Sequence, residues 1–288
     1  PSTAACWCRT TALEGRRRCR RGESGSAWAS TLAGFAAVIV LCFAAAADTA
    51  GRAANTAIWS LWEPVVFGLF FLVGPVWCTV CPLSTAARLS KRLGSSDRPP
   101  PAWLIENGPW LAIVGFAVIV WMERVFDSTA NPVASGILLV SLLAAAVIGA
   151  LLFRREVWCR HLCPLGRLGT ALAPASPLQL TANPRICASS CTTHECYRGT
   201  PDIPGCTVFH HPLEAKQSYR CKLSLDCLQS CPHNSAQVQL RAPMIAVWRL
   251  DAAASDLAMF SAAITIFALG VVASRTFEVL SRPLHFTI

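Results

Sequence analysis

From Pro132 to Phe153 the chain runs 22 residues without a charge. A helix that crosses a bilayer needs about 20 consecutive apolar residues. In lipid the backbone polar groups must be paired internally, so only helices and closed barrels span. This stretch therefore dictates the solvent in which the rest of the chain folds. Four others share the pattern: Trp28–Ala47, Pro64–Trp77 (extending back to Ala57 if Glu63 is tolerated near an interface), Asn107–Met122 and Leu257–Ser274. Asn107–Met122 is short, at 16 residues, and also fits a re-entrant or buried helix. Trp28, Trp59, Trp62, Trp77, Trp103, Trp110, Trp121, Trp158 and Trp248 lie at or near the ends of these stretches, as in an aromatic belt. The composition agrees: 53% of residues are hydrophobic and only 14% charged, where soluble domains carry about 25%. That balance excludes a disordered chain and an ordinary soluble domain. The expected fold is a mainly α membrane protein of about five transmembrane helices.

The formal net charge of +9 becomes informative once the spans are placed. With the N-terminus inside, segments 1–27, 78–106 and 154–256 hold 21 of the 25 Lys and Arg. The opposite side holds Arg52, Arg124, Arg275 and Arg282. Such an excess marks the cytoplasmic side, so the charge is accounted for by orientation and no nucleic-acid partner is required. The basic run Arg16–Arg21 reads as a topology anchor, and without a clear small-residue cleavage site it is not a typical signal peptide. The chain opens on Pro1 rather than Met, as expected of a fragment or a processed form.

Fifteen Cys need a separate explanation, because disulfide scaffolds are small secreted domains and a reducing compartment disfavours the bond. Two apolar stretches end alike. One runs into Trp77-Cys78-Thr79-Val80-Cys81-Pro82-Leu83, the other into Trp158-Cys159-Arg160-His161-Leu162-Cys163-Pro164-Leu165. Both read as Trp-Cys, two or three residues, then Cys-Pro-Leu, which points to a duplicated helix pair. Two pairs of thiolates supply four ligands, a set that suits zinc or an iron–sulfur cluster. His161, between two of these Cys, reads as an interfacial donor rather than a ligand. No span carries a His, so a bis-His haem has no support.

Between the fourth and fifth stretches, residues 174–241 begin with Pro174, Pro177 and Pro184 and then hold Cys187, Cys191, Cys196, Cys206, Cys221, Cys227 and Cys231. The segment is too short and polar for a good hydrophobic core, and metal binding would supply the missing folding free energy. Its second half, Cys221-x2-Ser224-x2-Cys227-x3-Cys231-Pro232, follows the bacterial cluster run C-x2-C-x2-C-x3-C-P, with Ser224 in the place of the second Cys. Ser224 is thus a doubtful ligand: its oxygen ligates, the cluster is a three-iron form, or the site is empty. In two-cluster runs the last Cys serves the other cluster. On that crossed rule Cys187, Cys191 and Cys196 share a site with Cys231, and Cys206 shares one with Cys221 and Cys227. His194, His210, His211 and His233 read as solvated loop residues. Cys6, Cys8, Cys19 and Cys42 have no assigned role.

These motifs resemble the bacterial membrane-bound polyferredoxin family. Its relatives include the quinol dehydrogenase subunit of periplasmic nitrate reduction, the nitrous-oxide reductase regulator and an oxidase maturation factor. The resemblance covers roughly residues 57–245 and rests on both Cys-Pro motifs, Cys196-Tyr197-Arg198-Gly199, and Cys227-x3-Cys231-Pro232. The sequence departs from the family at the two-residue spacing after Cys78, at Ser224, and at Thr207, where Pro is usual. The resemblance implies one to three iron–sulfur clusters, of [4Fe-4S] type, on the eleven Cys from Cys78 to Cys231. It also implies electron transfer between a quinone pool or cytoplasmic donors and partner proteins, as a subunit of an oxidoreductase in a bacterial inner membrane.

The expected organisation is a basic N-terminal segment (1–27), a four-helix membrane domain (28–173), a ferredoxin-like cytoplasmic insertion (174–241) and a C-terminal transmembrane helix with its tail (242–288). Arg160, Arg167, Arg220 and Lys222 near the thiolates would raise cluster potentials, since cations favour the more negative reduced state. Glu63 is a candidate for quinol deprotonation. A redox-sensing or maturation protein without turnover, and a zinc-stabilised scaffold, are the alternative functions.

Overall fold

A computed structural model describes residues 21–91, 98–153, 156–200 and 221–243, with 94, 96, 205–206, 211–213, 245, 258, 261–266 and 268–269. For residues 21–27 it describes the backbone alone. The readings made above on Cys6, Cys8, Cys19, Thr207, His210, Arg220 and most of Leu257–Ser274 lie outside these residues.

The chain is mostly helical. Among the described residues, three helices are long and apolar enough to cross a membrane: α2 (Thr49–Leu72), α4 (Gly108–Val125) and α5 (Pro132–Leu152). Helix α1 spans Arg21–Ala44, and its apolar part, Trp28–Ala44, is shorter than these three. Helix α1 starts before and ends short of the expected Trp28–Ala47, and α2 differs from the sequence expectation at both ends. Helix α2 begins at Thr49, eight residues before Ala57, because the polar stretch Thr49–Thr56 continues the helix into a π-helical turn at Ala57–Trp62. It stops at Leu72 rather than Trp77, since Gly74 adopts a left-handed φ of 91° that a helix cannot hold. Glu63 therefore lies just past the middle of α2 rather than at its end.

Polar side chains fix the helices at the end away from the Cys-Pro motifs. The Asn131 side chain caps α5 by accepting from the amides of Val133 (3.1 Å) and Ala134 (3.3 Å), with Pro132 at the first helical position. Asn55 Nδ2 donates to the carbonyls of Ser128 (3.1 Å) and Thr129 (2.7 Å), and Trp59 Nε1 donates to Ser135 Oγ at 2.8 Å. These bonds tie α2 to α5 where water is excluded and an unpaired group is costly.

Two short helices follow the spans: α3 (Pro82–Ser90) after α2, and α6 (Pro164–Leu172) after α5. Each packs against the span of the other half. Helix α3 lies along α5 and α1, whereas α6 lies along α4 and the Glu63–Leu72 part of α2. Gly169 of α6 permits the second contact, because a Cβ there would meet Phe70 of α2 at 2.9 Å. The crossing of the halves carries their motifs toward each other.

The Cys-rich segment is closed by a two-stranded antiparallel sheet, β1 (Leu178–Ala182) with β2 (Ala236–Leu240), in which Leu180 faces Val238. Its buried core is Leu180, Cys196, Cys221, Leu223 and Cys227, so thiols make up much of what a larger domain would build from aliphatic side chains. Arg241, just past β2, donates to the carbonyls of Ser176 (3.0 Å), Ala173 (2.7 Å) and Pro174 (3.1 Å). This tie anchors the end of the segment to the end of the helical domain.

Candidate metal centre

The two motifs have one construction. In each, a single turn carries the first Cys, and the second Cys is the N-cap of a nine-residue helix that starts with Pro. Proline suits the first helical position, where its missing N–H has no partner to lose. The N-cap places a sulfur against free amides and the positive end of the helix dipole, which favours thiolate. Cys163 Sγ accepts from Gly166 N at 3.3 Å, and the nearby Ser84 and Leu83 amides favour the Cys81 thiolate. The extra residue of the second motif is absorbed locally: Trp77–Val80 is an α turn, whereas Trp158–Leu162 is a five-residue π turn.

Cys78, Cys81, Cys159 and Cys163 line one cavity of about 150 Å³. Trp62, Phe70, Trp77 and Trp158 form its apolar walls, and Arg160, His161, Arg167 and Lys222 also border it. Burial pushes all four thiols up, and each is raised further by the charge of another Cys of the set or of Glu156. Cys163 reaches about 12, against the pull of the Gly166 and Leu165 amides. Thiols of this kind are protonated until a cation displaces the protons, so loading the site releases acid.

The Cys-rich segment forms two further groups. Cys196 stands beside Cys231, Cys191 and Cys187, and burial and these neighbours push its thiol up to about 11. Cys227 stands beside Cys221 and Cys206. Cys206, Cys221, Cys227 and Ser224 line a second, smaller cavity, and burial holds Cys221 at about 12. Burial pushes the Asp226 carboxyl up, against the pull of Arg88 and of the nearby Ser224 side chain. His211 Nε2 lies 3.8 Å from Cys196 Sγ, so this loop histidine sits beside a candidate ligand rather than in bulk water. His161 is buried against Gly108 at the start of α4, and His233 is exposed.

The structure adds a buried ion network that the motifs did not reveal. The Lys222 ammonium donates to Glu156 Oε2 and to Ser84 Oγ (3.3 Å). Ser84 Oγ donates to the same Glu156 oxygen at 2.9 Å, and Arg88 Nε donates to the other at 2.7 Å. Arg88 also stacks 5.4 Å from the Trp28 ring centroid and lies 3.7 Å from Asp226. Burial alone would push the Glu156 carboxyl up, yet Lys222 and Arg88 hold it at about 2. The one hint in the sequence is that Glu156 is the lone acid in an otherwise basic stretch around the second motif.

The donor set fits a polynuclear group better than a single ion. Among the described residues, no three His, Cys, Asp or Glu converge on one point, as zinc with its bonds of about 2.3 Å to sulfur requires. The four thiols instead ring a cavity. One further feature suits sulfide: the Trp158 indole N–H, in a residue that lines the cavity, is buried with no partner among the described residues, while Gly166 lets the motif close tightly, since a Cβ there would meet the Cys159 carbonyl at 3.0 Å.

Residues 56–101 and 135–173, each containing one Cys-Pro motif, match the family model of a 4Fe-4S binding domain. The match supports an iron–sulfur protein. Neither a curated protein nor a solved structure matches the chain.

Proposed function

We propose that the chain is a membrane-bound electron-transfer protein, passing electrons between a quinone pool or cytoplasmic donors and a partner reductase. The reading rests on one observation: Cys78, Cys81, Cys159 and Cys163, from the ends of two membrane helices, ring a single cavity that Lys222 of the Cys-rich segment also lines. An iron–sulfur cluster supplies one-electron redox chemistry and needs no acid–base residue. The protein's own part is to hold thiolates, exclude water and set the local charge. Cys81 and Cys163 present sulfur at helix N-termini, the aromatic walls keep solvent out, and Arg160, Arg167 and Lys222 favour added negative charge.

In the Cys-rich segment, Cys187, Cys191, Cys196 and Cys231 form a second four-thiol group. Cys206, Cys221 and Cys227 form a third group, one thiol short, with Ser224 lining the same cavity. The third site is therefore an altered cluster. The basic-residue asymmetry supports a cytoplasmic face for all three sites, and the resemblance a bacterial inner membrane.

Iron and acid-labile sulfide analysis with EPR on anaerobically purified protein tests this reading. Iron and sulfide in near-equal amounts, reduced on addition of quinol, support it. Zinc without iron overturns it in favour of a scaffold, and clusters that no quinol or donor reduces favour a sensor or maturation factor.

A further inference from the structure

Lys222 belongs by sequence to the Cys-rich segment, directly after Cys221, yet its ammonium is buried in the helical domain. It reaches Ser84 on α3 and Glu156 in the approach to the second motif, and its side chain lines both the four-thiol cavity and the cavity of Cys206, Cys221 and Cys227. No other residue lines both described cavities. A buried ammonium is costly to desolvate unless paired, and removing one partner strands the other. The contact is thus all-or-none, and it spans 138 residues from Ser84 to Lys222. Arg88 strengthens it from the same helix, bridging Glu156 to Asp226 beside Ser224.

We propose that Lys222, paired with Glu156, is a positioning residue that latches the Cys-rich segment to the helical domain and forms the shared cationic wall between two neighbouring redox sites. The proposal rests on the iron–sulfur reading and goes beyond it, assigning to one ion pair both the spacing of the sites and their relative potentials. The latch has two separable effects. Geometrically, it keeps the sites at fixed separation. Electrostatically, Lys222 and Glu156 act on the thiols of the helical site with opposite sign.

The test uses the full chain, reconstituted anaerobically with iron and sulfide in detergent, as wild type, Lys222→Met, Lys222→Arg and Glu156→Gln. Iron per chain, EPR line shape of the reduced form and redox midpoints are measured. Wild type is expected to show line broadening from spin coupling between sites. Lys222→Met is expected to lose that broadening and lower the midpoint of the helical site, whereas Lys222→Arg keeps both near wild type. Glu156→Gln is expected to move the same midpoint upward, an opposite shift that a merely structural role would not give. Unchanged line shape and midpoints at wild-type iron content overturn the proposal. If Lys222→Met does not fold, Glu156→Gln decides, and an unmoved midpoint overturns it. Wild type that takes up no iron overturns the iron–sulfur reading itself. The latch is then read on metal-free protein by thiol alkylation. Lys222→Met should label Cys78 and Cys159 several-fold faster while Cys187 is unchanged, and equal rates overturn it.

Discussion

Cys81 and Cys163 occupy equivalent positions in two halves of the chain, each capping a nine-residue helix that begins with Pro and leans on the span of the other half. The exchange, rather than either motif, assembles the four-thiol cavity. Replacing either residue by Ser is expected to abolish iron at this site while leaving the group of Cys187, Cys191, Cys196 and Cys231 loaded. Iron and sulfide per chain, with EPR of the remaining signal, check this. Loss of all iron from either variant would show that the sites do not load independently.

Gly169 is where the second half touches the first. A methyl group there would sit 2.9 Å from the ring of Phe70, which is fully buried and would have to shift. Gly169→Ala is expected to destabilise the helical domain by about 1–3 kcal/mol through overpacking. Its apparent thermal midpoint in detergent should fall accordingly. The control is Gly34→Ala, where nothing lies within 4 Å, and it should be near neutral.

Ser224 lines the cavity of Cys206, Cys221 and Cys227 in the position of the missing thiol. Ser224→Cys is expected to raise iron content per chain and to change the EPR signature of that site alone. Unchanged iron content would mean that the site already holds a complete cluster or none.

Glu156 titrates in the folded protein at about 2, well below its ordinary value of 4.5. The unfolded chain therefore binds its proton more tightly, so the stabilisation is complete above about pH 4.5 and is lost as pH falls toward 2. The difference amounts to about 3 kcal/mol. Thermal unfolding of the metal-free full chain in detergent, followed by near-UV circular dichroism from pH 7 to 2.5, should show that loss. Glu156→Gln should be less stable at pH 7, by about 3–5 kcal/mol for the stranded Lys222 and Arg88, and should lack this part of the pH dependence.

The uncharged run ending at Phe153 was enough to predict a helix there, because lipid leaves a backbone no alternative. The two Cys-Pro motifs were equally plain, since a Cys before Pro at the end of an apolar run is a local pattern with a local cause. Local pattern also limits what can be read. The start of α2 at Thr49 was missed because Thr49–Thr56, with small residues broken by Arg52 and Asn55, carries no apolar run, and the π turns at Ala57–Trp62 and Trp158–Leu162 follow from packing rather than propensity.

Sequence alone determined the long apolar helices, the thiol inventory and the place of Ser224 in the Cys run, all properties of neighbouring residues. Only the tertiary structure decided that α3 and α6 cross to the opposite spans, and that Lys222 leaves its own segment to meet Glu156. Those contacts join residues 66 and 138 positions apart. Their energy comes from desolvating a charge beside its partner, a quantity no spacing along the chain records.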